Sequence, residues 1–337
     1  MSAVIKSGLV SVVVASYNHA EYLEQRMDSL INQTYQDIEI LVIDDCSPDN
    51  SIDMLRRYEA HPKVKLIIRE KNGGWVAVSN QGVEMSVGEF VIFANCDDAC
   101  DPRMIERLVE ASRLYPTSGV AFCRSLMIDE QNRMFGDDYE IREKLFRERC
   151  ICDTFIGRDE MYRFLFHSCV IPNLSAALIR RSCFDSAGVF TPDYRACSDW
   201  DLFFRIANDF DFCYVAEPLN RFRQHATTIR SATKGRITYD EFFRLLLSEI
   251  RRDKLSLLER FRFRLHVMYL WAIELARPSV AGWYSFFHHV QLIWRIDRVA
   301  LFILPLGILK RIVELPRKAF SRIARQMRNS LHQAKSN

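Results

Sequence analysis

The chain has 337 residues, 49% hydrophobic and 26% charged, which excludes a disordered or collagen-like polypeptide and leaves a soluble globular protein of one large domain or two. Ten scattered cysteines without a CxxC pair exclude a disulfide scaffold and a zinc module, and with no signal-peptide pattern they indicate a reducing cytoplasm. The net charge of +3 hides a split: residues 1–232 hold 26 Lys and Arg against 35 Asp and Glu, and residues 233–337 hold 20 against 8.

Leu9–Ala15 is a Val-rich apolar run and predicts a strand buried on both faces. After the polar turn Ser16–Ala20, Glu21–Asn32 predicts a helix, and Ile38–Ile43 a second strand ending at Asp44-Asp45. Turn residues Ser47–Asn50 precede a helix over Ser51–Ala60, capped by Asn50 or Ser51. Val64–Ile68 is a third strand, Asn72–Gly74 a loop, Val76–Met85 a helix and Phe90–Ala94 a fourth strand broken by Asn95-Cys96-Asp97-Asp98. Pro102 opens a helix through Leu114, and Gly119–Met127 is a fifth strand. This rhythm predicts an α/β fold with a Rossmann-like, mostly parallel sheet flanked by helices.

Residues 130–172 are charged and without period, and read as loop plus helix framing an acceptor site. Strands follow at Leu174–Ile179 and Phe212–Ala216, with a helix over Asp199–Asn208 between them and a polar turn before Arg221–His225. From residue 233 the pattern is helical, with strong periods over Tyr239–Ile250 and Lys254–Ala276. Residues 283–315 are aromatic and aliphatic with interspersed Arg and Lys. Their longest uncharged stretch, Val299–Leu309, has 11 residues, short of the roughly 20 that span a bilayer. A basic, amphipathic, membrane-surface region over 233–337 is the expectation, with Trp283, Phe286, Phe287, Ile293, Trp294, Phe302, Ile303, Leu304, Ile308 and Leu309 on its apolar face.

Open parallel sheets bind ligands beyond the carboxyl ends of their strands. Four polar groups fall at such ends: Ser16-Tyr17-Asn18, Asp44-Asp45, Asn72–Gly74 and Asn95–Asp98. Aspartates gathered there suit a hard divalent cation shared with a phosphate. No GxGxxG follows the first strand and no P-loop is present, which argues against NAD and ATP sites.

The ordered set VSVVVASYN, EILVIDDCSPDNS and NGGWVAVSNQGVEMSVGEFVIFANCDDACDP resembles the nucleotide-sugar half of glycosyltransferase family 2, of GT-A fold. CSDWDLFFRIA resembles that family's acceptor motif and RFRQHATTIRS its closing segment, so the likeness spans about residues 9–231. It implies a GT-A domain over 1–232, with a donor half to about residue 130 and an acceptor half from 131. It also implies an inverting sugar transfer from a UDP-, GDP- or dTDP-sugar.

The resemblance gives each residue a role. Tyr17 packs on the nucleobase, Asp45 accepts a hydrogen bond from it, and Asp44 supports the loop. Asp97 binds Mg²⁺ or Mn²⁺ against the diphosphate, with His225 as a further ligand. Asp98 either helps or caps the next helix. Asn95 replaces the first Asp of the Asp-x-Asp motif and faces the ribose. Arg223 and Arg230 neutralise phosphate. Ser79 stands where an Arg is usual, and Ser198 where a Glu is usual. Asp199 is the expected general base, since inversion needs a carboxylate beside the acceptor hydroxyl. Asp201 is the fallback, and Trp200 either lines the acceptor or packs in the core.

With the membrane-directed tail, the resemblance implies a glycan or glycolipid acceptor, a lipid-linked or cell-surface polysaccharide of lipopolysaccharide type. The tail and the cysteine pattern together lead to the expectation of a cytoplasmic protein, peripheral on the inner face of the cell membrane. The competing expectation is a weak or inactive GT-A scaffold in a glycan assembly complex, favoured by Asn95, Ser79 and Ser198. Nucleic-acid binding is not expected, because the basic tail alternates Arg with Leu, Ile and Phe at helical spacing.

Overall fold

The computed structural model describes residues 4–171, 173–225, 236–251, 255–275 and 283–313. The side chains of 236–239, 274–275 and 283–286 lie outside that description, as do Arg230 and the basic segment 314–337. The chain divides into two compact units, 1–232 and 233–337.

The first unit begins with β1 (Lys6–Ser16), α1 (Ala20–Ile31), β2 (Ile38–Asp44), α2 (Ser51–Arg56), β3 (Val64–Ile68), α3 (Trp75–Met85) and β4 (Gly88–Asn95). A two-residue β5 (Ala99–Cys100), α4 (Met104–Leu114) and β6 (Ser118–Ile128) follow. Val10, Val12, Val13 and Val14 of β1 are all at most 1% exposed, which is why that strand reads as a continuous apolar run. Leu23, Met27 and Leu30, at helical spacing on α1, join Val12, Val14, Ile40 and Leu108 in the main core cluster.

Residues 130–172 are more structured than their sequence suggests. They form β7 (Met134–Asp137), α5 (Asp138–Ile141), α6 (Lys144–Arg149), β8 (Thr154–Ile156) and α7 (Arg158–His167). Charge builds these elements where an apolar period is missing. Asp137 caps α5 through the Tyr139 N–H, Glu143 caps α6 through two N–H groups, and buried Asp138 pairs with Arg142 at 2.7 Å.

Next come β9 (Ala177–Arg180), α8 (Ser182–Ala187), α9 (Ser198–Ile206) and β10 (Asp211–Arg223). β10 runs on through Arg223 where the sequence suggested a strand over Phe212–Ala216 and then a polar turn. Pro218 cannot donate to the ladder, and the register shifts on both sides of it instead of the strand ending. The sheet runs β3-β2-β1-β4-β9-β6-β10-β5, with β7 on β6 and β8 on β10. β9 is antiparallel to both β4 and β6, so β3, β2, β1, β4, β6 and β10 all point one way. Their carboxyl ends therefore share one edge.

The second unit holds α10 (Arg236–Ile250), α11 (Leu257–Leu275), α12 (Trp283–Ile296) and a helical run over 298–313. Asp297 separates the last two. It is 6% exposed, accepts from Arg264 Nε at 2.7 Å and caps the following helix through the Val299 N–H. Among the described residues no helix is long and apolar enough to cross a membrane.

Gly82 sets the seat of α3 on β1, because a Cβ there would lie 2.3 Å from Val13 Cγ1. Gly82→Ala should cost stability, by about 1–3 kcal/mol as overpacking does. A lower urea midpoint at unchanged slope is the expected reading.

Candidate active site

The first two strand ends are built around paired aspartates. Asp44 accepts from Ser16 Oγ at 2.9 Å, Ser47 N at 2.8 Å and Ser47 Oγ at 2.7 Å, so its carboxylate ties the end of β1 to the turn that follows β2. The turns after the two strands each hold a left-handed residue, Asn18 at φ 56° after β1 and Cys46 at φ 62° after β2, backbone that non-glycine residues rarely adopt. Asp45 points the other way. It accepts from Arg69 Nη1 at 2.5 Å, Gly73 N at 3.0 Å and Gly74 N at 2.7 Å, and so holds the Asn72–Gly74 loop. Tyr17 follows β1 with its side chain exposed. Arg69 is a strand-end cation the sequence reading passed over; its place directly after β3 was the available signal.

β4 delivers Asn95, Asp97 and Asp98, of which Asp97 faces away from the other two. Asp98 is buried and accepts from Asn173 Nδ2 at 2.7 Å, Ser175 Oγ at 2.7 Å and Arg223 N at 2.9 Å. Burial and the adjacent Asp97 charge raise its carboxyl to about 6. The structure thus turns Asp98 inward, away from the metal-binding role first read for it. Asn95 leans the same way, with Nδ2 at 3.2 Å from Asn173 Oδ1.

Asp97 instead meets two imidazoles. His225 Nε2 lies 2.8 Å from Asp97 Oδ2, and ligand atoms of His19, Asp97 and His225 all fall within 4.8 Å of one another. Burial alone would raise the Asp97 carboxyl, but the His225 hydrogen bond and the charges of His19 and His225 hold it below the usual range. His19 comes from the end of β1, Asp97 from β4 and His225 from β10, three parallel strands whose ends the topology gathers.

The sequence reading missed His19, although it directly follows Tyr17-Asn18. Its Nδ1 sits 2.7 Å from the Tyr17 carbonyl, which accepts the Nδ1 proton and leaves Nε2 to offer a lone pair when the ring is neutral. Nε2 is buried and has no hydrogen-bond partner among the described residues. A carbonyl behind one ring nitrogen and an orphaned second nitrogen is the arrangement of a metal-binding histidine. Two imidazoles and one carboxylate fit Mn²⁺ better than Mg²⁺, which prefers an all-oxygen shell.

Four of the five N–H donors of Arg223 are taken by the protein itself. Its guanidinium donates to the Asp97 carbonyl at 2.7 Å, the Asp129 carbonyl at 2.7 Å, Gln25 Oε1 at 2.6 Å and Asn132 Oδ1 at 2.7 Å, and lies over the Tyr22 ring. It positions Asp97 from behind rather than facing a donor.

On the acceptor side, Asp199 begins α9 half-buried, with Oδ1 accepting from the Trp200 N–H at 2.8 Å. Trp200 is 7% exposed, donates Nε1 to the Leu165 carbonyl at 3.0 Å and stacks on Phe204, which is core packing. Asp201 is also buried and pairs with Arg205 at 2.8 Å. Of these three residues, Asp199 alone is not buried.

Residues 11–187 match the family model described as Glycosyl transferase family 2, just over half of the chain. The chain belongs to glycosyl transferase family 2. An uncharacterised glycosyltransferase of Rickettsia prowazekii is 24% identical, the alignment covering 76% of each chain. Several other curated glycosyltransferases match the chain over about a third of their own length. Two solved structures share the GT-A fold. TarS of S. aureus in complex with UDP-GlcNAc has TM-score 0.65 at 16% identity, covering 90% of this chain and 88% of that one. The mannosyltransferase PcManGT of Pyrobaculum calidifontis in complex with GDP-Man and Mn²⁺ has TM-score 0.53 at 16% identity, covering 90% and 86%.

This family 2 chain accommodates its unusual residues locally. Ser198 donates Oγ to the Thr191 carbonyl at 2.8 Å, and Ser79 is buried within α3. Its structural node is Arg223. Arg223→Lys cannot reach four acceptors from one ammonium, and each acceptor left buried and unpaired costs about 1–3 kcal/mol. A stability loss of about 3 kcal/mol or more, read by denaturant melt, is expected.

Proposed function

We propose that this chain is a metal-dependent, inverting glycosyltransferase that moves a sugar from a UDP-, GDP- or dTDP-sugar to a hydroxyl of a glycan or glycolipid acceptor. The convergence of His19, Asp97 and His225 at the sheet edge carries the reading. These three residues would hold Mn²⁺ or Mg²⁺, which supplies positive charge to the departing diphosphate. Tyr17 and Asp45, after β1 and β2, lie where the base is read, and Asp44 and Arg223 stay behind as supports. Asp199 takes the proton of the acceptor hydroxyl as its oxygen bonds the anomeric carbon and the bond to the diphosphate breaks. The neighbours crystallised with UDP-GlcNAc and with GDP-Man and Mn²⁺ support a nucleotide-sugar donor.

The test is a panel of UDP-, GDP- and dTDP-sugars, with and without Mn²⁺, read by thermal shift and by release of nucleoside diphosphate. The true donor should raise the melting temperature only when the metal is present. His19→Ala and Asp97→Ala should remove that dependence and keep the fold. Asp199→Asn should keep donor binding and slow turnover by roughly 10²–10⁴. Donor binding without turnover in the unaltered chain would favour the scaffold reading.

The second unit supports a place on the inner membrane surface. Val299, Phe302, Leu306, Leu309 and Val313 are 46–79% exposed and recur every three or four residues, so they share one face of the 298–313 helix. Ala300 and Ile303 face inward, as does Ile293, so the apolar face differs in part from the one first read. Trp283 and Phe286 have side chains outside the described residues. The charges within 298–313 are Arg298, Lys310 and Arg311, with no acid. Such a face repels a second copy of itself and suits an anionic bilayer. The full chain should float with anionic vesicles and not with neutral ones. Phe302→Glu with Leu309→Glu should abolish flotation even at low salt, and retention by these variants would leave charge as the sole attraction.

A further inference from the structure

Four contacts tie α3 to the loop that precedes α9. Trp75 Nε1 donates to the Arg195 carbonyl at 2.8 Å, and its ring meets Phe190 edge-on at 5.3 Å. Asn80 Nδ2 donates to the Phe190 carbonyl at 2.8 Å, and Asn80 Oδ1 accepts from the Phe190 N–H at 3.0 Å. Phe190 is 1% exposed and also packs on Phe93 of β4 at 4.8 Å. The loop is held at its far end by Ser198 on the Thr191 carbonyl, and Asp199 is the next residue.

The opposite side of Trp75 leads to the donor site. Trp75 follows Gly73-Gly74, whose N–H groups are both bound by Asp45. Gly74 sits at φ 82°, ψ 161°, a conformation essentially reserved for glycine, which aims the next residue. A continuous run of covalent and hydrogen-bonded links therefore connects Asp45 to Asp199. The carboxylate that reads the donor and the one that accepts the proton share a brace.

We propose that Trp75 is a positioning residue for transfer: it anchors the 190–197 loop to the donor-side turn and so fixes the place of Asp199. The proposal rests on Asp199 being the general base. A hydrogen bond that only places a reacting group acts on the rate more than on donor affinity, since small misplacements are amplified at the reacting atoms.

Trp75→Phe keeps an aromatic edge against Phe190 and loses the N–H donated to Arg195. In the full chain, hydrogen exchange of the 190–197 amides should quicken while that of α3 stays unchanged. With Mn²⁺ and the donor panel, and water as acceptor, nucleoside diphosphate release should slow roughly ten- to a hundredfold. The donor-induced thermal shift should be retained. The double variant Trp75→Phe/Asp199→Asn should be no slower than Asp199→Asn alone, because a brace that acts through Asp199 has nothing left to place. Unchanged exchange in the loop, or additive losses in the double variant, would overturn the proposal. Unimpaired release by Asp199→Asn would instead overturn the general-base reading, with the exchange result still reporting whether Trp75 anchors the loop.

Discussion

The site depends on one buried guanidinium. Arg223 is 1% exposed, yet it touches the turn after β4, the turn after β6 and helix α1, while its own backbone N–H binds Asp98. Burying a cation is costly unless its donors are met, and here four oxygens meet four of the five. Asn132 takes a left-handed φ of 63° in the turn that supplies two of those oxygens. The geometry of Asp97 is thus set by parts of the chain more than 100 residues apart, and His225 is carried into place two residues after Arg223.

That long-range character explains what the sequence could and could not disclose. β1, β2 and β4 were legible because a doubly buried parallel strand must be a continuous apolar run, and each run ended in polar residues. The position of Asp97 was legible for the same reason. The inward turn of Asp98 was not, because its partners Asn173 and Ser175 lie some 75 residues on and are ordinary polar residues in isolation. His19 was hidden differently. A lone histidine in a turn has no meaning until another strand brings a second one beside it. Residues 130–172 defeated a periodicity reading because their helices are organised by Asp137, Glu143 and the Asp138–Arg142 pair rather than by an apolar stripe.

Arg26 of α1 is the counterexample to Arg223. It is 0% exposed, and its three side-chain nitrogens have no hydrogen-bond partner among the described residues. Its charge acts on Asp98, Cys96 and Cys100, yet burial still pushes both thiols up. The two arginines flank the same acidic turn and show opposite solutions. One spends its donors on fixing a shape, and the other contributes only a field. The second unit handles its charges more simply, with Asp297 paired to Arg264 and Asp240 shared between His288 and His289.

The sheet order has a consequence for where this domain ends. The family match stops at residue 187, but β6 is flanked by β9, complete only at Arg180, and by β10, which runs from Asp211 to Arg223. A nascent chain released at residue 187 would expose the long parallel edge of β6 as an open template for other strands. It would also lack His225 and Arg223. On the ribosome, then, the first half of the sheet is committed well before its central strand is covered, and the interval between them is when this protein is most exposed to misassembly.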